Sequence, residues 1–244
     1  MLSKFQLIIF DKDGTLIHFD AMWGGWVTEL ARRLEEETRL LPGNRVSGSV
    51  TDALFQAMGF DPASGRVLAH GPLAVTPMVR LRALTVEVLR ELGLPSVEAE
   101  ATVAAAWHIP NPVTLARPFT DLAALFGALR QRGIKIAIVT TDDRAPTEAT
   151  LAGLGVASLV DTMVCADDGV LVKPAPDMVF AVCHTTGVDP AHSIVVGDSV
   201  ADLQMGKAAG AGLVVGVLSG VSSDEVLKPY ADLVLTSVEA LLSL

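Results

Sequence analysis

Six side chains spread along the 244-residue chain have the types and settings that phosphoryl chemistry uses. Asp11 and Asp13 close a short apolar run, Leu7-Ile8-Ile9-Phe10, and Gly14 and Thr15 follow them. Thr140 ends a second apolar run. Lys173 stands before a proline in a loop. Asp198 and Asp202 follow a third run, Ile194-Val195-Val196-Gly197. Carboxylates as near as Asp11 and Asp13 repel each other unless a cation or a shared proton relieves them. The pattern points to a divalent metal, a phosphoryl group or both. An acidic, glycine-containing turn after a strand is the plain alternative for this stretch taken alone. Together the six supply a carboxylate nucleophile, an acid/base, a hydroxyl, an ammonium and further carboxylates for a hard cation. Such a set suits phosphoryl transfer, where positioning and charge compensation do most of the work. Mg²⁺ prefers oxygen ligands and keeps part of its water shell. An aspartate can form an acyl phosphate, and a second carboxyl can protonate the leaving oxygen and then deprotonate water.

Residues this far apart act together only if a fold gathers them. Residues 7–10 read as a buried strand. Helical spacing follows after Leu16, where Met22, Trp23, Trp26, Val27, Leu30, Ala31 and Leu34 recur. Further helices are expected over about 47–58, 77–92 and 96–107, with Thr76 as a cap and Pro77 as a first helical residue. A loop rich in glycine and proline covers 61–75, and residues 18–107 offer no convincing strand. Ile109-Pro-Asn-Pro reads as a linker. Beyond Pro118 the pattern alternates. Thr120 is placed to cap a helix closed by Gly133. Strands are expected over 135–139, 162–165, 193–196, 213–217 and 232–235, with helices between them. Alternation of this kind implies an α/β fold, a Rossmann-like and mostly parallel sheet with helices on both faces. Its strands deliver their carboxyl ends to one edge, where ligands bind. Residues 1–17 and 116–244 form this core, and 18–115 form an inserted all-helical domain.

Half of the residues are apolar, enough for a sizeable core, and the net charge of −10 argues against nucleic acid or an anionic membrane as partner. It leaves room for a small anionic substrate, because a lysine and a metal can reverse the field of a cleft. Cys165 and Cys183 lack Cys-x-x-Cys spacing and fit core packing in a reducing compartment. The longest uncharged run, 208–223, is broken by glycines and is a poor membrane span. A cytoplasmic protein, monomeric or homodimeric, is the expectation.

The motifs resemble those of the haloacid dehalogenase superfamily of phosphatases. Asp11-Lys12-Asp13-Gly14-Thr15-Leu16 matches its first motif, Thr140 its second, Lys173-Pro174-x-Pro176-Asp177 its third and Gly197-Asp198-x-x-x-Asp202 its fourth. They occur in family order. The resemblance implies that Asp11 is the nucleophile and Asp13 the general acid/base. It implies Mg²⁺ held by Asp11, Asp198 and the Asp13 carbonyl, with Asp202 supporting from behind. Thr140 and Lys173 would bind the phosphoryl group, Lys173 also pairing with Asp11. The helical insertion sits where the family places a helical cap that shapes substrate choice. The resemblance implies a small phosphorylated metabolite as substrate, a phosphoglycolate-like phosphomonoester. Two positions depart from the common pattern, Thr141 where asparagine is frequent and Lys12 where an apolar residue is frequent. Lys12 is expected to point away from the site.

Competing activities are distinguishable by residues. A dehalogenase would lack Asp13. A phosphonate hydrolase would need a lysine in the insertion, and 18–115 contains none. A pump of the P type needs membrane helices. A phosphomutase shares the core chemistry and stays open as the alternative, as does a ligand-binding protein that kept the fold. Single residues have plainer readings. Asp142, Asp143, Asp167 and Asp168 read as turn and surface acids, and Trp23, Trp26 and Trp107 as packing. His18, Arg66 and His70 read as structural or solvated rather than as substrate contacts.

Overall fold

The computed structural model of the chain describes residues 2–43, 46–68, 71–76, 78–108 and 115–244. The expected linker at 109–112, Pro77 and His70 lie outside them. The chain divides into two compact units, Met1–His18 with Asn111–Leu244, and Phe19–Pro110. No described helix is long and apolar enough to cross a membrane.

In chain order the strands are β1 (Leu7–Phe10), β2 (Phe60–Asp61), β3 (Arg66–Val67), β4 (Lys135–Val139), β5 (Thr162–Val164), β6 (Ser193–Gly197), β7 (Leu213–Val217) and β8 (Leu233–Leu235). Six of them form one sheet in the order β5-β4-β1-β6-β7-β8. Every neighbouring pair is parallel. All four residues of β1 are buried. That is why its sequence is a continuous apolar run rather than an alternating one, since a central parallel strand is covered on both faces. On one face Leu7, Ile9, Ala137, Val139 and Val195 meet Met178, Val179, Val182 and Cys183 of the helix Asp177–Thr186. On the other, Phe10 stacks on Phe126 of the helix Leu122–Gln131, ring centroids 5.6 Å apart. Cys165 and Cys183 are free and buried, as core residues.

The order places β1 between β4 and β6, so the chain leaves the first strand, builds one side of the sheet, and crosses back to build the other. The carboxyl ends of β1, β4 and β6 therefore lie side by side at the switch point of the sheet, the ordinary ligand edge of such folds.

The second unit is mainly helical. Its long helix, Phe19–Leu40, buries Met22, Trp26, Val27, Leu30, Ala31 and Leu34 as the periodicity predicts. Trp26 is fully buried, stands edge-on to Trp23 and Trp107, and donates from Nε1 to the His108 carbonyl at 2.9 Å. The tryptophans are packing residues, as read. The unit also contains strands, contrary to the sequence reading. β2 and β3 form a two-stranded antiparallel hairpin, Phe60 opposite Val67 and Asp61 opposite Arg66. Two-residue strands are too short to register as alternation. The hairpin is held by the Asp20 carboxylate, which accepts from Val67 N at 2.7 Å. Gly24 makes room for it, since a Cβ there would stand 2.7 Å from the Phe60 ring.

Two expected caps shift. The helix Leu122–Gln131 is capped by Asp121, whose carboxylate accepts from Ala124 N at 2.9 Å, and not by Thr120, whose hydroxyl donates to Glu239. Thr76 ends a short helix, Pro72–Val75, ahead of the helix Met78–Glu91.

Candidate active site

Beyond Phe10 the backbone turns sharply. Asp11 N donates to Val196 O at 2.9 Å, and the turn closes through Leu16 N to Lys12 O at 2.9 Å and Gly14 N to Ile17 O at 2.8 Å. Gly14 adopts φ +84°, which a side chain resists. It also has no space, because a Cβ there would lie 2.4 Å from Asp198 Oδ2. Asp198 follows β6 and is 3% exposed. Its Oδ1 accepts from the Thr15 hydroxyl at 3.0 Å and its Oδ2 from Val221 N at 2.9 Å. Ser219 ties the same loops together by donating to Gly14 O at 2.8 Å. Three loops thus fix one carboxylate, those after β1, β6 and β7.

Asp202 lies in the first turn of the helix Val200–Ala208 and completes a capping box with Ser199. Its Oδ2 accepts from Ser199 N at 3.1 Å and its Oδ1 pairs with Lys173 Nζ at 2.6 Å. Lys173 Nζ also donates to Asp11 Oδ1. Gly197 is needed for this approach, since a Cβ there would meet Asp202 Cβ at 2.2 Å. Asp11, Asp198 and Asp202 each offer an oxygen within 4.8 Å of the others, the one such group among the described residues. Three crowded carboxylates facing one ammonium leave an excess of negative charge, and their all-oxygen chemistry fits Mg²⁺. Asp13 adds no carboxylate to this group; what the resemblance implies for it at a metal rests on its carbonyl.

The electrostatics follow from burial. Burial pushes the Asp11 carboxyl well up, against the opposing pull of Lys173. Burial, with the charge of Asp202, raises Asp198 to about 6. For Lys173 burial alone would lower the ammonium, but Asp11 and Asp202 outweigh it and hold it above the ordinary lysine range. Carboxylates held up in this way are primed for a cation.

Thr140 stands just past β4, 2% exposed, and its Oγ1 accepts from Asp142 N at 3.1 Å. That leaves its hydrogen to be donated elsewhere. The expectation for Lys12 is overturned. It is 1% exposed and its Nζ lies 2.7 Å from both Asp13 Oδ2 and Asp142 Oδ2. Strand alternation does not carry past Asp11 because the chain is already turning, and a buried ammonium must find carboxylates. Asp142 is accordingly more than a turn acid. Burial raises Asp13 to about 6, with Lys12 pulling the other way.

Asp143, Asp167 and Asp168 stay outside the site. Asp143 precedes the helix Arg144–Gly153, whose Arg144 is held by Asp167 and Asp168. His18 is exposed and meets the Phe119 ring at a tilt of 46°, and Arg66 is exposed with Asp20 at 3.9 Å. The loop Ser219-Gly220-Val221 was not legible. Its one signal is a Ser-Gly pair after an apolar strand, which many turns share.

The model of the haloacid dehalogenase-like hydrolases matches residues 5–210. A phosphoglycolate phosphatase from Rhodospirillum rubrum is 30% identical over 220 residues, covering 86% of this chain and 78% of that protein. An N-acetylmuramic acid 6-phosphate phosphatase from Pseudomonas aeruginosa is 29% identical over 169 residues, covering 66% of this chain and 70% of the other. Among solved structures, a haloacid dehalogenase-superfamily hydrolase of subfamily IA from Geobacter sulfurreducens superposes with a TM-score of 0.69 over 98% of this chain and 96% of that one, at 15% identity. With the four motifs gathered at one sheet edge, these matches place the chain in the haloacid dehalogenase-like hydrolase family.

Proposed function

We propose that this chain is a Mg²⁺-dependent phosphatase that hydrolyses a small phosphorylated metabolite through an aspartyl-phosphate intermediate. The observation that carries the reading is the Asp11 carboxylate at the end of the central strand, paired with Lys173 and grouped with Asp198 and Asp202. Asp11 attacks phosphorus, and the bond to the ester oxygen breaks as Asp13 gives that oxygen a proton. Asp13 then takes a proton from water, whose oxygen attacks phosphorus and releases inorganic phosphate and the Asp11 carboxylate. Lys173 offsets charge on the phosphoryl oxygens, and the Thr140 hydroxyl donates to one of them. Asp11, Asp198 and the Asp13 carbonyl would hold Mg²⁺, with Asp202 bracing Lys173 beside them. Mg²⁺, when bound, supplies a positive centre that lowers the cost of charge on those oxygens.

Phosphoglycolate, or a phosphomonoester like it, is our reading of the substrate. Its support is the likeness to a phosphoglycolate phosphatase over most of both chains. We assign the inserted unit, Phe19–Pro110, as the substrate-selecting cap and the remainder as the catalytic core. The test is phosphate release from p-nitrophenyl phosphate and phosphoglycolate, with Mg²⁺ and with chelator, for the wild type and Asp11→Asn. Metal-dependent turnover that Asp11→Asn abolishes is expected. Turnover that survives Asp11→Asn refutes the nucleophile, and conversion of a hexose phosphate to its isomer without release of phosphate would make the protein a mutase.

A further inference from the structure

We propose that Lys12, braced by Asp142, is a positioning residue for Asp13, locking one of its carboxylate oxygens so that the other faces the leaving group. The inference rests on the acid/base role given to Asp13 above. Lys12 Nζ sits at 2.7 Å from Asp13 Oδ2 and 2.7 Å from Asp142 Oδ2, with a side chain 2% exposed. Asp13 Oδ1 is buried and has no hydrogen-bond partner among the described residues. One oxygen is therefore engaged and the other is left for a ligand. Asp142 is itself fixed, since its backbone N–H donates to Thr140 Oγ1 at 3.1 Å. The brace thus runs from the end of β4 through Lys12 to Asp13 at the end of β1. It links the residue that would bind the phosphoryl group to the one that would protonate its departing oxygen.

Lys12 is a poor candidate for a second phosphate-binding cation. Its ammonium is enclosed and both of its close partners are carboxylates, so its charge is already spent. Lys173, by contrast, faces the Asp11 nucleophile. What Lys12 controls is orientation, and orientation of a general acid matters in proportion to how basic the leaving oxygen is.

Two aryl esters read this out. p-Nitrophenolate leaves from p-nitrophenyl phosphate with little need of a proton, whereas the phenolate of phenyl phosphate is more basic and gains from one. For Lys12→Met and for Asp142→Asn, kcat/KM on phenyl phosphate is expected to fall on the order of 10²-fold, within the range that a positioned general acid contributes. On p-nitrophenyl phosphate the fall should be only a fewfold. In an Asp13→Asn background the further change Lys12→Met should cost almost nothing on either ester, because a residue that acts through another has no effect once that other is gone. Equal losses on both esters, or a full additional loss in the Asp13→Asn background, would overturn the assignment. Asp142 is partly exposed, so Asp142→Asn decides the matter by the same criterion if Lys12→Met does not fold. Failure of the underlying reading is visible separately, as turnover that persists in Asp11→Asn with Lys12 intact, and it would overturn this inference as well.

Discussion

Asp198→Asn should make the metal-free protein more stable and at the same time abolish its response to Mg²⁺. Asp198 is 3% exposed, and burial together with the charge of Asp202 raises its carboxyl from 3.8 to about 6. A folded-state value above the unfolded one means that the charged form destabilises the fold. The penalty is absent below the unfolded value, grows as pH rises through the window from 3.8 to about 6, and is complete above it. A gap of about two units corresponds to ~3 kcal/mol near neutral pH. Asparagine is isosteric and can still accept from Thr15 through its oxygen. Its amide cannot accept from Val221 N, which returns ~1 kcal/mol of the gain. The net is ~2 kcal/mol, or roughly 4–8 °C in Tm for a chain of this size. Thermal melts in chelator should therefore rank the variant above the wild type at about pH 7.5, with the difference closing toward about pH 4. Added Mg²⁺ should reverse the ranking, since only the wild type gains by binding. A variant that melts at or below the wild type in chelator at neutral pH, or a gain that persists unchanged in acid, would refute the electrostatic account.

Other outcomes follow from the same geometry. Gly220→Ala would set a Cβ 1.9 Å from Asp198 Oδ2, so the loop must shift. The concentration of Mg²⁺ needed for half-maximal activity should rise by about tenfold or more, as when partners that orient a metal ligand are lost, and metal titration of the activity checks it. Trp26→Ala empties a fully buried site and strands the His108 carbonyl. It should cost ~3–5 kcal/mol in a denaturant titration of the inserted unit. Asp121→Ala removes the cap of the helix Leu122–Gln131 and should cost ~1 kcal/mol, whereas Thr120→Ala should leave that helix intact.

The sheet was legible because its strands are central. Leu7–Phe10 and Ser193–Gly197 are buried throughout, and burial on both faces writes itself as unbroken apolar runs. The acids at their ends were legible for a related reason, since strand ends in a parallel sheet share one edge. Side chains past the strand ends were not. Lys12 looked as if alternation would turn it outward, yet the turn closed by Gly14 carries it inward to Asp142, 130 positions away. No spacing rule reports such a pair. The brace on Asp198 from Val221 N is likewise a backbone contact between loops, invisible to residue type. The hairpin of β2 and β3 was missed because its strands are two residues long. The cap at Asp121 instead of Thr120 is a one-residue choice that local φ and ψ decide.

The places where the chain leaves and rejoins the core are stitched to each other. Ile17 pairs with Pro118, His18 N donates to Arg117 O at 2.8 Å, and Phe119 N donates to Leu16 O at 3.0 Å. About ninety residues of insertion thus leave and return between two neighbouring segments that backbone hydrogen bonds already join. Topologically the insertion is only a long loop across a closed seam, and closing a loop costs little more when it is long than when it is short. A stretch held in this way is exchangeable. It can be lengthened, trimmed or traded for another without rerouting a strand of the sheet.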